Sequence, residues 1–109
     1  MFDLKWSQSE KRIARRAFEQ ALNCELTELI QETKKRINQV STPDELWEVA
    51  HWLTERRREI DTTYDYRYSV LPVVFAKLLR RRVLSDSDLN GLGQEKVDLI
   101  RRDLRSTEN

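Results

Sequence analysis

The residues of this chain that could carry out chemistry are few, and they are not grouped as an active site requires. His51 is the only histidine and Cys24 the only cysteine, so a proton relay lacks a second imidazole and a zinc site lacks a second thiolate. Asp and Glu alternate with Lys and Arg, as on solvated helix faces. The chain has no glycine-rich phosphate loop and no nucleophile elbow. We expect no enzyme activity, no cofactor and no metal site, and we expect Cys24 to be a buried or half-buried filler.

Protein recognition is the chemistry that the segment from Trp47 to Tyr68 favours. At about 100° per residue, Trp47, His51 and Arg58 share one stripe of a helix, and Arg57 lies about a quarter-turn away. Trp and Arg supply much of the energy at the centres of interfaces. We predict a partner-binding surface of Trp47, His51, Arg57 and Arg58. For His51 an equally simple alternative is a helix residue that stacks near Trp47 without a role in binding.

The arginine runs 56–58 and 80–82 allow two other interpretations. The last short helix, its glycine turn and the basic helix that follows resemble a helix-turn-helix faintly. However, the net charge is only +1, and acidic residues are interspersed with the arginines of the last helix, so we expect no nucleic-acid partner. Charge runs are usually solvated faces. We prefer that explanation for 80–82, at a helix end, but not for 56–58, beside Trp47 and His51.

Two long helices must position the predicted surface. Ser7 and Glu10 form a capping box, and apolar residues then recur at steps of three and four as far as Val40. Thr42, Pro43 and Glu45 give a second start signal, for a helix that runs to about Tyr64. The link between the helices is short, so we expect antiparallel neighbours.

The unequal lengths of these helices predict a homodimer or a higher oligomer. The first helix, of about 32 residues, spans roughly 48 Å, and the second covers only about two-thirds of it. Part of the apolar stripe is therefore left for another chain to cover. For Trp52 both the core and an interface are open, and we favour an interface, because Trp52 lies about 140° from Trp47 around the helix and both cannot enter one narrow seam. The predicted dimer interface consists of apolar residues from both helices: Leu26, Leu29, Ile30, Ile37, Leu46, Ala50 and Leu53.

The rest of the chain predicts a small helical head. Ser69 is the expected cap of its apolar core helix, whose last turn should hold Arg80 to Arg82. A short helix from Ser85 to Gly91 and a last helix from Gln94 to Arg105 complete an all-α fold. We expect one structural domain, with a stalk and dimerisation region at residues 1–68 and the head at 69–109, and loose ends at residues 1–5 and 106–109. The sequence has no apolar run of about 20 residues and no signal-peptide core, so we expect a soluble, cytoplasmic protein without membrane insertion.

Nearly the whole chain, from about Trp6 to Arg105, resembles the cyanobacterial fluorescence recovery protein family. The run of alternating tyrosines at 64–68 is the most specific part of this resemblance. The other matching segments are Glu45-Leu46-Trp47, Leu53, Arg56-Arg57-Arg58-Glu59-Ile60-Asp61, Val74-Phe75-Ala76 and Leu89-Asn90-Gly91-Leu92.

The resemblance implies a helical homodimer without a cofactor. It implies binding to the C-terminal domain of the photoactivated orange carotenoid protein, near thylakoid-associated phycobilisomes. Proteins of this family speed the return of that partner to its resting orange form and its release from the phycobilisome, which ends photoprotective quenching. The family's functional patch combines a Trp, a His-Asp pair and an Arg, and its Trp and Arg match Trp47 and Arg57.

The His-Asp pair is where this chain departs from the family. Ala50 and His51 stand at those positions, so the acid is missing and the imidazole is moved by one residue, or about 100° around a helix. The alternative is therefore a divergent helical adaptor dimer that has lost or altered this activity and binds another carotenoid-domain protein.

Overall fold

A computed structural model describes residues 4–106 of the chain. These residues form α1 (Gln8–Asn38), α2 (Pro43–Thr63), α3 (Leu71–Arg80), a 3₁₀ helix (Asp86–Leu89) and α4 (Gln94–Ser106). Within this part of the chain there is no strand, so the predicted all-α class is confirmed. We expected loose ends at residues 1–5 and 106–109. Most of these two segments, namely residues 1–3 and 107–109, lies outside the described residues.

Both long helices begin at the capping boxes that the sequence predicts. The Ser7 hydroxyl accepts the Glu10 N–H at 3.1 Å, while the Glu10 carboxylate accepts the Ser7 N–H at 2.9 Å. Thr42 and Glu45 make the same reciprocal pair, with Pro43 in the first turn of α2. Hydrogen bonds from the backbone of Ser41 and from Thr42 lower the pKa of Glu45. Because both helix starts satisfy their exposed N–H groups locally, these boundaries follow from sequence alone.

The boundaries of α3 differ from the prediction at both ends. Arg67 accepts backbone hydrogen bonds from Val70 and Leu71 at 2.9 and 3.0 Å, so Ser69 lies inside a tight turn and does not cap the helix. At the other end, the N–H of Val83 reaches the carbonyl of Leu78, and Arg82 adopts a φ of +61°. This is a Schellman motif, which ends the helix at Arg80 and places the next two arginines beyond its last turn.

The core lies at one end of the molecule. Leu71, Phe75 and Leu78 are fully buried on α3, and they pack with α4 and with the first half of α1, including Ala14 and Phe18. The core therefore contains residues from both sides of the boundary that we placed at 68. The molecule measures 53 × 28 × 20 Å with a radius of gyration of 16.9 Å, against about 13 Å for a compact domain of 100 residues. An extended stalk with a small head is the resulting shape.

A buried ion pair joins the last helix to the start of the first. The Glu10 carboxylate accepts the Gly93 N–H at 2.7 Å and lies 3.1 Å from the Lys96 ammonium, which also donates to the Lys5 carbonyl. Hydrogen bonds from the Ser7 backbone, the Gly93 backbone and Lys96 lower the pKa of Glu10 to about 2, although burial opposes this shift. The sequence pattern predicts only the capping role of Glu10, and its contact with α4 is a finding of the structure.

A second polar junction lies where the stalk leaves the head. The Arg81 guanidinium lies 3.5 Å from the buried Glu25 carboxylate of α1 and donates to the Thr63 hydroxyl at 3.1 Å. Burial raises the pKa of the neighbouring Tyr64 hydroxyl, and the nearby Glu25 carboxylate raises it further. These contacts connect α1, the end of α2 and the residue that follows α3.

Gly91, in the turn before α4, has a backbone conformation that favours glycine. Its φ is +101°, and a Cβ there would lie 2.5 Å from the Ile13 Cδ1 atom. Among the described residues, no helix is both long and apolar enough to cross a membrane.

Candidate protein-binding site

Trp47 is the most exposed large apolar side chain of the stalk. It lies in the second turn of α2 with 65% of its surface accessible, and its neighbour Leu46 is 41% exposed. The Thr42 capping box and Pro43 fix the start of this helix, so the indole is presented by a rigid element. An exposed Trp on a rigid helix is typical of an interface anchor, because a ring of this size contributes much energy when it is buried.

The structure places the other three predicted binding residues on the exposed surface of the same helix. His51, Arg57 and Arg58 are all exposed. The Arg57 side chain, which is 83% exposed, lies 3.7 Å from Asp61, and the Arg58 guanidinium lies 2.9 Å from Glu55. Exposed pairs of this kind contribute only a few tenths of a kcal/mol, so both guanidiniums can exchange their carboxylates for those of a partner at little cost.

An apolar cleft of about 590 Å³ lies between the distal halves of α1 and α2. It contains five of the seven residues predicted for the dimer interface, and among these Ile30 and Ile37 are 54% and 47% exposed. Leu26, Leu46, Ala50 and Leu53 are also exposed, and Leu29 is half-buried. Their contact with a second chain stays a prediction.

The charged cleft on the other side of the hairpin was not predicted. It has a volume of about 500 Å³ and lies between α1 and α2 near Arg81. The Arg36 guanidinium lies 4.0 Å from the centre of the Trp52 ring and pairs with Glu32 at 3.0 Å. Trp52 is half-buried and contacts α1 of its own chain. Our preference for an interface over the core at this residue stays a prediction.

The structure contradicts one prediction about a chemistry-bearing residue, Cys24. Cys24 is exposed, so its prediction as a buried or half-buried filler is wrong. The neighbours Ala21 and Glu25 face the core, and a residue adjacent to Glu25 is rotated by about 100° toward solvent. Within residues 4–106, no three His, Cys, Asp or Glu side chains are close enough to hold a metal ion.

The fold and the surface together define a class of protein: an elongated helical hairpin on a small head, with exposed anchor residues along the hairpin. The family model described as "Photoprotection regulator fluorescence recovery protein" matches residues 6–102. The chain belongs to this cyanobacterial family, whose role is the regulation of photoprotection.

Relatives with known structures agree with this assignment. The fluorescence recovery protein of Synechocystis sp. PCC 6803 is 34% identical over 96 residues, which are 88% of each chain. The structure of the Fremyella diplosiphon fluorescence recovery protein has a TM-score of 0.87 at 38% identity, and that of the Synechocystis protein has 0.87 at 34%. Each match covers 93% of this chain and 99% of the other. The predicted family is therefore confirmed, and the helical fold is the one found in these structures.

Proposed function

We propose that this chain binds the photoactivated orange carotenoid protein at its C-terminal domain and speeds the return of that protein to the resting orange form. In doing so it would detach its partner from the phycobilisome and end photoprotective quenching. The chain would act in the cytoplasm beside thylakoid-associated phycobilisomes, as a homodimer or higher oligomer, without enzymatic chemistry or a cofactor. Family membership supports the regulatory role, and the remaining steps are our proposal.

The observation that carries the proposal is the 65% exposure of Trp47 on a capped, rigid helix. In this scheme Trp47 supplies the buried area, and Arg57 supplies a hydrogen-bonded anchor for acidic groups of the partner. A ligand can shift an equilibrium only through different affinities for its two states. To leave after one reversion, the chain must bind the activated partner more tightly than the resting form. To speed the reversion, it must bind the reclosing geometry more tightly than the open one, because equal binding of both would leave the barrier unchanged.

The test follows the dark reversion of photoactivated orange carotenoid protein by absorbance, with and without the purified chain. We expect acceleration by the unmodified chain and a loss of about tenfold or more in the Trp47→Ala and Arg57→Leu variants, because each removes an anchor worth at least about 1.4 kcal/mol.

Arg102→Leu is the matched control for Arg57→Leu, since it removes an exposed arginine from α4 and should leave the acceleration unchanged. All variants should keep their helicity by circular dichroism. Unchanged reversion, together with no complex in size-exclusion chromatography, would exclude the activity.

The second candidate is the divergent adaptor, which the residues Ala50 and His51 favour. The carboxylate that pairs with Arg57 here is Asp61, at 3.7 Å, and position 51 carries an imidazole instead of the family's acid. The double change Ala50→His with His51→Asp restores the family's pair about two turns before Arg57. If the chain is a weakened regulator, this variant should accelerate reversion more than the unmodified chain. If the variant also lacks activity, while the unmodified chain binds another carotenoid-domain protein, the adaptor function is the correct one.

A further inference from the structure

The first half of α1 carries a strip of basic side chains for which the proposed function has no use. The strip consists of Lys11, Arg12, Arg15 and Arg16, which follow the spacing i, i+1, i+4 and i+5 and therefore share one face of the helix. They line an open groove of about 740 Å³. The opposite face of the same turns is buried in the core through Ala14, Ala17 and Phe18.

Three of these four cations have no acidic partner within residues 4–106. Arg15 alone forms an ion pair, with Glu19 at 3.7 Å, and both side chains are more than half exposed. The whole chain has 20 basic and 19 acidic residues, so the remainder has 16 basic against 19 acidic residues. The strip is thus a local concentration of positive charge on a molecule that is otherwise slightly acidic.

Aromatic rings hold two of the cations in place. The Arg15 guanidinium lies 4.1 Å from the centre of the Tyr66 ring, and the Lys11 ammonium lies 5.4 Å from that of Tyr68. Tyr66 packs against Phe18 at 4.8 Å and against Tyr68 at 5.6 Å. Tyr66 and Tyr68 therefore form a support under the strip. Cations that are already ordered lose less conformational entropy when they bind.

We propose that this basic strip binds an acidic helix of another protein, one that carries carboxylates at i and i+4. The pairs Lys11/Arg15 and Arg12/Arg16 are each separated by about 6 Å along the axis, which is the spacing of carboxylates one turn apart. A guanidinium binds a carboxylate through two parallel hydrogen bonds. The strip lies on the head, whereas Trp47 lies near the tip of the hairpin, so the two surfaces do not overlap.

Two other polyanions fit this surface less well. Single-stranded nucleic acid needs open aromatic faces for stacking, but Arg15 and Lys11 cover faces of Tyr66 and Tyr68. An anionic membrane binds most firmly where apolar side chains enter it beside the charges, whereas the groove is lined by the four cations, Glu19, Tyr68 and neutral polar residues, namely Gln8, Gln20 and Asn23. A compact acidic protein surface also avoids repulsion by the acidic remainder of the chain.

The test measures binding of the full chain to a fluorescent, alanine-based helical peptide of about 20 residues with Glu at every fourth position. We expect Arg12→Glu with Arg16→Glu to weaken binding by about tenfold or more, because each reversal replaces an attraction by a repulsion. The matched control is Arg101→Glu with Arg105→Glu, which reverses two exposed arginines at the same spacing on α4 and should change affinity less than about twofold. Raising the salt from about 50 mM to about 300 mM should weaken binding by the unmodified chain.

Parallel titrations use single-stranded DNA and vesicles with anionic lipid as probes. No binding of the peptide, equal losses in the two double variants, or tighter binding of DNA or vesicles than of the peptide would each overturn the proposal. Binding that the control variant keeps and the strip variant loses would support it, whatever the outcome of the reversion assay.

Discussion

At the scale of single residues, Glu10 has two structural roles. One is local, at the start of α1, and the other joins it to Gly93, which lies 83 positions further along the chain. It closes the capping box of α1 through the Ser7 N–H, and it accepts the Gly93 N–H and the Lys96 ammonium from the other end of the chain. Lys96 is itself buried. Removing one partner of a buried ion pair leaves the other charge without compensation, and that loss exceeds the loss of a surface pair.

We predict that Glu10→Gln lowers the free energy of unfolding by about 2–3 kcal/mol, because the buried Lys96 ammonium loses its counter-charge. Glu45→Gln is the matched control, since Glu45 has the same capping position on α2 but is exposed, and its loss should be clearly smaller. Chemical denaturation monitored by circular dichroism measures both. Equal losses in the two variants would show that Glu10 acts only as a cap.

The same residue predicts how stability depends on pH. The pKa of Glu10 is lowered from 4.5 to about 2 in the folded chain, so the folded state favours the ionised form. The contribution of Glu10 to the free energy of unfolding is complete above about pH 4.5 and is lost as the pH falls toward 2. In Glu10→Gln this part of the acid-induced loss should disappear. A variant that loses stability between these pH values as steeply as the unmodified chain would contradict the assignment.

At the scale of helices, the sequence pattern predicts the structure correctly where local signals decide it. The starts of α1 and α2 follow from reciprocal hydrogen bonds between residues three apart, which a sequence pattern reveals. The end of α3 cannot be predicted from such a pattern, because Arg82 occupies a left-handed conformation that usually favours glycine. The Glu10–Lys96 contact and the Arg36–Trp52 stack join residues far apart in sequence, and neither was predicted. The exposed anchor residues were predicted by family resemblance as well as by helical spacing.

The unusual end of α3 predicts a gain in stability. Arg82→Gly should raise the free energy of unfolding by about 0.5–1 kcal/mol, because glycine adopts a positive φ without the penalty of a Cβ. Arg82→Ala removes the same side chain but keeps the Cβ, so it should give no gain. Thermal melts of the two variants decide this, and a melting temperature of Arg82→Gly at or below that of Arg82→Ala would contradict the prediction.

At the scale of the whole molecule, the core and the exposed apolar surface lie in different places. The core is at the head, while the distal hairpin exposes Ile30, Ile37 and Leu53 around its cleft. Within α2 only Ile60 and Thr63 are buried. The hairpin beyond them gains little from its own chain, which is why we propose that a second copy covers it.

We predict that Ile30→Asp with Leu53→Asp converts a dimer into a monomer at micromolar concentration, because two charges would enter the apolar seam. Val73→Asp is the control, since Val73 is a similarly exposed apolar residue on the head and should leave the dimer intact. Light scattering measures the mass, which for one chain is 13.1 kDa. A mass of one chain for the unmodified protein would refute the dimer.

The position of the core also makes the hairpin an adjustable spacer. The two arms of the hairpin, the distal parts of α1 and α2, leave the head together and are joined at residues 39–42. The contacts of Glu10 and Arg81 that hold the head together lie outside these arms. Deleting seven residues from each arm would shorten the reach by about 10 Å and keep the helical register nearly unchanged. The distance between the basic strip and the tip can thus be tuned by insertion or deletion of whole heptads, without redesign of the head.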